Sequence, residues 1–405
     1  MDAVAALKAL RAPEGCPDPN PLYAAMHAHG RGAVAIDVRE HNYDAVAYGY
    51  DTVNQVLRNP DLRVVDGELL DMGKSNWRAS PALFTFFHSM LFSNGADHTR
   101  FRKLFAGAFT PRRTAALEPG IRRIVSDQLD ALAKQGADGR PVDFMPFAFK
   151  VPSDVLGELV GLPEEDRDWY RDRALAVHHA LELGVGPDGA PGDAALELTA
   201  YFERLVALRR AEPRDDLISS IIQSSDADGG RLSEAELCAN LIVLFNAGFL
   251  TTTHLIGNGL NLLFEHPEHM ARLRAHPDLT GQYVEEFLRI EPSIHFVARW
   301  AAEPTEVGGV PVPARGRVLV LFAAANRDPG RFPEPEVFDP DRPDLVPLSF
   351  SGGAHFCLGA ALTRLEAGIV LPMLLERFPD LARAEPPGPR MHLALRGYER
   401  LMVTI

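Results

Sequence analysis

The chain has 405 residues, enough to bury a large hydrophobic core, and its 46% apolar and 24% charged residues are the proportions of an ordinary globular protein. That composition excludes disordered, collagen-like and fibrous chains. The formal net charge of −14 excludes a nucleic-acid or anionic-membrane binder that works by bulk electrostatics.

Three cysteines, Cys16, Cys238 and Cys357, are too few and too scattered for a disulfide framework or a four-cysteine zinc site, so a cytoplasmic, reducing compartment is expected. No stretch reads as a membrane span. In chain order, residues 33–49 are rich in valine and tyrosine with partial alternation and predict strands of a small sheet, followed by a short helix over 51–58. Helical periodicity then dominates, over 97–134, 153–160, 163–183, 193–211, 233–264 and 279–290. A strand-rich stretch over 305–321 turns at Gly308-Gly309 and at Ala314-Arg315-Gly316, and residues 392–405 read as strand again. Glycine and proline clusters at 184–192 and 386–389 predict surface loops. With no repeat, no low-complexity linker and no clean boundary, the expectation is one mainly α domain with small β-sheets, spanning residues 1–405.

The strongest chemical signal is Phe350-Ser351-Gly352-Gly353-Ala354-His355-Phe356-Cys357-Leu358-Gly359, a glycine-rich turn that delivers Cys357 to the start of a helical pattern. A cysteine there feels the positive end of the helix dipole and free backbone N–H groups, which favour the metal-binding thiolate. Gly352 and Gly353 permit a tight turn, and Gly359, without a Cβ, leaves room for a flat group above the helix start. A lone loop cysteine is ordinarily a structural residue. This one sits in a motif that resembles the haem-binding signature of the cytochrome P450 family, whose cysteine thiolate is the proximal ligand of haem iron. Phe350, Gly353, His355, Cys357 and Gly359 all match; Ser351 stands where the family usually has glycine.

The resemblance extends further. In Glu286-Phe287-Leu288-Arg289 the two charged residues are three apart and share a helix face, and Arg342 fits the third place of the family's buried ion-pair network. The run Ala324-Ala325-Asn326-Arg327-Asp328-Pro329 also matches. The haem propionates need cationic or hydrogen-bonding partners, and the resemblance assigns them to His98, Arg102, Arg299 and His355. It therefore implies the cytochrome P450 fold, haem b (iron protoporphyrin IX) as cofactor, and Cys357 as iron ligand.

Asn246-Ala247-Gly248-Phe249-Leu250-Thr251-Thr252 interrupts an apolar helix with a glycine and threonines that predispose it to a kink. By resemblance, Ala247 and Gly248 lie close to haem, and Thr251 is the threonine that serves oxygen activation. Leu250 sits where the family places an acid. Delivering one oxygen atom to substrate and the other to water consumes two protons, and leucine supplies none. The expectation is a relay that uses Thr251, Thr252, water or a polar substrate group. His254, one turn on, reads better as a core histidine than as a surrogate donor.

Phe86 and Phe87 lie in an apolar run over 84–92, in the segment that roofs the active site in this family, and with Leu250, His295, Phe296 and Val297 they are candidates to line a pocket for a mostly apolar organic substrate. No glycine-rich dinucleotide fingerprint is present, so electrons are expected from a separate protein; the resemblance implies a ferredoxin and its ferredoxin reductase, attracted by a basic patch of Arg100, Lys103, Arg112 and Arg113. The implied function is a haem-thiolate monooxygenase of specialised metabolism acting with dioxygen by hydroxylation or epoxidation. The alternatives are a haem sensor or carrier without turnover, and an atypical peroxide-driven or coupling oxidation.

Overall fold

The computed structural model describes residues 3–10, 16–30, 32–37, 42–182, 190–227, 232–390 and 394–405; most of the loop expected at 184–192, and His392, lie outside the described residues. The chain forms two compact units, one of residues 1–63, 125–149 and 251–405, the other of 64–124 and 150–250. It passes between them four times, so neither unit is a continuous stretch of sequence.

The first unit is organised on a sheet of β1 (Ala33–Ala35), β2 (Ala45–Ala47), β3 (Leu62–Val64), β4 (Phe296–Ala301) and β5 (Arg317–Leu321), in the order β1-β2-β5-β4-β3. β2 runs parallel to β5 with Val46 opposite Leu319, and β4 runs antiparallel to β5 with Arg299 opposite Val318. Alternation sends Ala45, Ala47, Val318 and Val320 to one face, packed with Val53 and Leu57. Val46, Leu319 and Leu321 go to the other, packed with Leu7, Tyr23 and Met26. Burial on both faces is why β5 reads as a continuous apolar run rather than an alternating one. The strand-rich stretch after residue 304 is the hairpin Thr305–Val307 and Val310–Val312, turning at Gly308 and Gly309 with φ of +55° and +83°, followed by β5. A separate small sheet joins Val142–Asp143, Ala382–Arg383 and Met402–Thr404.

Five helices carry the residues singled out above: α1 (Gly95–Ala106), α2 (Met145–Val160), α3 (Glu234–Glu265), α4 (Thr280–Ile290) and α5 (Ala360–Arg377). The helix expected over 97–134 is divided into α1, Pro111–Ala116 and Glu118–Gln135. Pro111 cannot continue a helix but starts one well, and Thr110 Oγ1 caps the new start by accepting the Arg113 N–H at 3.4 Å. α2 begins at Met145 rather than at 153 because it runs through Pro152, its lost hydrogen bond offset by burial of Phe147, Val151 and Val155.

α3 runs unbroken through Gly248 and the threonines. By length and composition it could cross a membrane, contrary to the sequence expectation. Most of its side chains from Leu237 to Leu263 are buried in the protein, however, as in a core helix.

Candidate active site

Three hydrogen bonds shape the cysteine loop: the Ser351 N–H donates to the Leu348 carbonyl at 2.8 Å, the Phe356 N–H to Gly353 at 3.2 Å, and the Cys357 N–H to Phe350 at 2.8 Å. They bring Cys357 to the first residues before α5. Gly353 has φ +63°, and a Cβ there would lie 2.4 Å from the Leu57 carbonyl oxygen, so only glycine fits. At Gly359 a Cβ would meet nothing within 4 Å. The protein's own packing therefore does not require this glycine; its effect is to keep the approach over the start of α5 open. Phe350 is buried, with the Arg364 guanidinium 4.5 Å over its ring and Arg364 itself paired with Glu285 of α4. Ser351 adopts φ +62°, the conformation glycine takes freely, and its Oγ is buried without a hydrogen-bond partner among the described residues.

The segment leading into the loop is tied to α4. Asn326 accepts the Leu348 N–H at 2.8 Å, and its amide donates to Ser349 Oγ at 2.8 Å and to the Leu288 carbonyl at 3.3 Å. Beneath it, the fully buried Arg289 holds Glu286 with two bonds of 2.7 Å and donates to the carbonyls of Asn326, Pro335 and Val337. Arg342 reaches the same Glu286 carboxylate at 3.4 Å and donates to the Pro333, Glu334 and Val337 carbonyls. Glu286, Arg289 and Arg342 thus form one network that fixes the backbone ahead of Cys357. Removing one partner would strand buried charge, at a cost of about 3–5 kcal/mol.

Arg299, on β4 in the same unit, is 5% exposed, and its guanidinium donates to the adjacent Ala298 carbonyl at 3.0 Å. Burial alone pulls its pKa down to about 10. A buried guanidinium with no carboxylate partner among the described residues is suited to an anionic ligand. His355 is half-buried on the loop. In the other unit, His98 and Arg102 lie one turn apart on α1, and burial together with the Arg102 charge lowers the His98 pKa, favouring a neutral imidazole that donates an N–H.

Along α3, Leu244, Ala247, Gly248 and Thr251 are the incompletely covered residues in an otherwise buried stretch, spaced i, i+3, i+4 and i+7 on one face. Leu250 falls to one flank of this stripe and is buried. Thr252 falls to the other flank, 1% exposed, with its hydroxyl 3.3 Å from that of Thr363 on α5. Thr251 is therefore on the open face and Thr252 is not, which corrects the expectation that both hydroxyls serve one space. Gly248 has a second role: a Cβ would come within 2.7 Å of Leu156 Cδ1, so glycine also permits the close approach of α2. His254 is buried and packs against Gly397, where a Cβ would touch its ring.

Within the first unit, a thiol at a helix start, open space above Gly359 and a buried arginine with no carboxylate partner among the described residues fit the haem that the sequence resemblance implies.

Comparison with known proteins agrees. Residues 197–393 match the family described as Cytochrome P450. The cytochrome P450 monooxygenase PikC of Streptomyces venezuelae is 38% identical over 381 residues, 92% of this chain and 86% of that protein. The chain belongs to the cytochrome P450 family. The 6-deoxyerythronolide B hydroxylase of Saccharopolyspora erythraea is 39% identical over 326 residues, 79% of this P450 and 78% of the relative. Among solved structures, P450BioI in complex with hexadec-9Z-enoic acid ligated acyl carrier protein superposes with a TM-score of 0.86 at 33% identity, covering 96% of this chain and 98% of that one. This P450 is accordingly a haem b protein and a monooxygenase, an oxidoreductase that acts on a small molecule with dioxygen and redox partners.

The candidate substrate contacts divide. Phe87 is half-buried, edge-on to Trp77 at 5.4 Å and to Phe92 at 5.1 Å, and Phe296 and Val297 are half-buried on opposite faces of β4. Phe86, at 1% exposure, and His295, at 2%, are core residues instead. His295 Nδ1 is 2.8 Å from the Tyr23 hydroxyl, a contact that sequence spacing could not reveal across so many residues. The basic patch is weaker than its sequence suggests, since Arg100 is paired with Glu236 at 2.7 Å and Asp97 at 3.1 Å, and Arg113 bonds Ser220. Sequence reading assigned no role to Asn326, Thr363 or Glu366. Asn326 carried a signal as part of the matching run at 324–329, and Glu366 as an acid placed among Leu362, Leu365, Ala367 and Ile369.

Proposed function

We propose that this P450 is a soluble, cytoplasmic haem-thiolate monooxygenase, with residues 1–405 acting as one haem-binding domain and Cys357 as iron ligand. It hydroxylates or epoxidises a mostly apolar organic small molecule of specialised metabolism. Dioxygen, two electrons and two protons give one oxygen atom in the product and one water. Bound haem supplies the dioxygen-activating chemistry. The chain's residues supply the rest. Cys357, at the start of α5, is held by its N–H bond to Phe350 and offers a thiolate. Arg299 and His355 would pair with the propionates, and the sequence resemblance assigns the same role to His98 and Arg102. Ala247 and Gly248 keep the face of α3 low, and Thr251 orients and moves a proton there. Leu250 gives up the usual acid, so proton delivery follows another route. Half-buried apolar residues such as Val297, on the same face of β4 as Arg299, favour an apolar substrate. A ferredoxin with its ferredoxin reductase delivers the electrons.

The observation that carries this reading is Cys357, presented at the start of α5 by a loop whose Gly353 cannot be replaced and whose Gly359 leaves the approach open. Reconstitution with a ferredoxin, its reductase and isotopically labelled dioxygen tests it. One labelled oxygen atom in an organic product is the expected result. Haem binding with no product from any apolar substrate panel would favour the sensor or carrier, and turnover supported only by peroxide would favour the atypical oxidation.

A further inference from the structure

α4 ends at Ile290 and β4 begins at Phe296, and the connector between them is tied to α3 by two hydrogen bonds. The Asn258 amide donates to the Glu291 carbonyl at 3.1 Å, and the Ser293 hydroxyl donates to the Thr251 carbonyl at 2.7 Å. Thr251 and Asn258 are two turns apart on one face of α3, so the connector runs along the helix. It is also held from behind. Pro292 fixes one of its φ angles, the Glu291 carboxylate accepts from Arg327 at 3.2 Å, and the Arg396 N–H donates to the Ser293 carbonyl at 2.8 Å. Arg396 is anchored in turn, donating to the Cys16 and Pro17 carbonyls at 2.7 and 2.6 Å. Ser293 is 7% exposed, and so short a side chain on so constrained a backbone has little freedom to point elsewhere.

The place of the bond gives it a use. A helix carbonyl has two lone pairs, of which the intrahelical N–H takes one. At Thr251, on the incompletely covered face of α3, a hydroxyl from outside the helix bonds the same oxygen. A side-chain bond into the helical ladder sets the local tilt of the helix. Here it fixes the peptide that joins Thr251 to Thr252, and with it the direction in which the Thr251 side chain leaves the helix. We propose that Ser293 is a positioning residue that holds the Thr251 hydroxyl in its working orientation through the Thr251 carbonyl. The inference rests on the monooxygenase reading for the use of Thr251, but not for the bond. Ser293 acts only through that carbonyl, and no proton passes through it.

Thr251-Thr252 and Thr252-Thr253 are the only threonine–threonine bonds in the chain. Protein labelled with carbonyl-carbon-13, nitrogen-15 threonine therefore gives one carbonyl–nitrogen NMR correlation for each of them. In the diamagnetic reduced carbonyl form of the holoprotein, Ser293→Ala should move the Thr251 carbonyl signal upfield, as a lost hydrogen bond does, and leave the Thr252 carbonyl signal in place. Ser293→Thr keeps the hydroxyl and should restore the signal. In the reconstituted enzyme, Ser293→Ala should divert about threefold more electrons to peroxide, the order of one neutral hydrogen bond, with KM and the carbonyl absorption band unchanged, and Ser293→Thr should recover the coupling. Asn258→Ala loosens the same connector but leaves the bond to Thr251, and its coupling should stay near wild type. An unmoved Thr251 signal in Ser293→Ala, normal coupling despite a moved signal, or equal uncoupling in Asn258→Ala overturns the proposal. Should the added methyl of Ser293→Thr not fit, Ser293→Ala against Asn258→Ala decides alone. Absence of oxygenated product from wild type would defeat the monooxygenase reading instead, and the NMR signal reports the bond independently of turnover.

Discussion

The cysteine loop carries Ser351 where the family uses glycine, and α3 carries Leu250 where the family uses an acid. Ser351 sits at φ +62° with a buried hydroxyl that has no partner among the described residues, a local cost borne by the network of Asn326, Arg289, Glu286 and Arg342 around it. Leu250 costs nothing in folding: it is 6% exposed in an apolar helix. What it removes is a proton donor. A backbone misfit can be absorbed by neighbouring bonds, whereas missing chemistry has to be supplied from another position.

Variants can break or sharpen this contrast. The largest effect belongs to the support under the loop: Glu286→Ala strands Arg289 and Arg342 in the interior and should cost about 3–5 kcal/mol in chemical denaturation, with poor haem retention. Near-normal stability would mean that the network does not hold the loop. Gly353→Ala meets both an unfavourable φ and the Leu57 carbonyl and should lose about 3 kcal/mol by the same assay. A tolerated alanine would show that the turn relaxes.

The pH dependence of stability tests the burial of Glu366, 2% exposed on α5. Its carboxyl is raised in the folded state from 4.5 to about 8, so the folded protein binds more proton between those values. The stabilisation is complete below the unfolded value and is lost as pH rises through the folded one, on the order of a few kcal/mol. Glu366→Gln should flatten the decline in unfolding free energy between pH 5 and pH 8 that wild type shows. An equal slope in both proteins would place the titration elsewhere. Leu250→Glu should change the yield of product per electron by about twofold or more; unchanged turnover and coupling would remove any relay role from this position. The smallest effect is expected of Ser351→Gly, a gain of about 1 kcal/mol with coupling unaltered, measurable as a rise in melting temperature. A loss of stability there would mean that Ser351 contributes a bond in solution.

How much could be read from sequence follows the same division. The cysteine loop was legible because its constraints are local: Gly353, Cys357 and Gly359 are needed within one turn of each other. Glu286 and Arg289 were legible as a helix pair, and Arg342 through resemblance. The interior strand β4 was not, because Phe296–Ala301 does not alternate and gains its place by pairing with β5. Phe86 and Phe87 are adjacent aromatics in an apolar run without a face, and only packing separates the core residue from the half-buried one. Thr252 and Thr363 are 111 positions apart, and their approach leaves no periodic trace in either helix.

The most direct measurement is the absorption spectrum of the reduced protein under carbon monoxide, for wild type and Cys357→Ala. A strongly red-shifted Soret band in wild type that is lost in the variant is the predicted result, because thiolate ligation of the iron is what produces that shift. A histidine-type band in wild type, or a red-shifted band that survives in Cys357→Ala, would contradict Cys357 as the iron ligand.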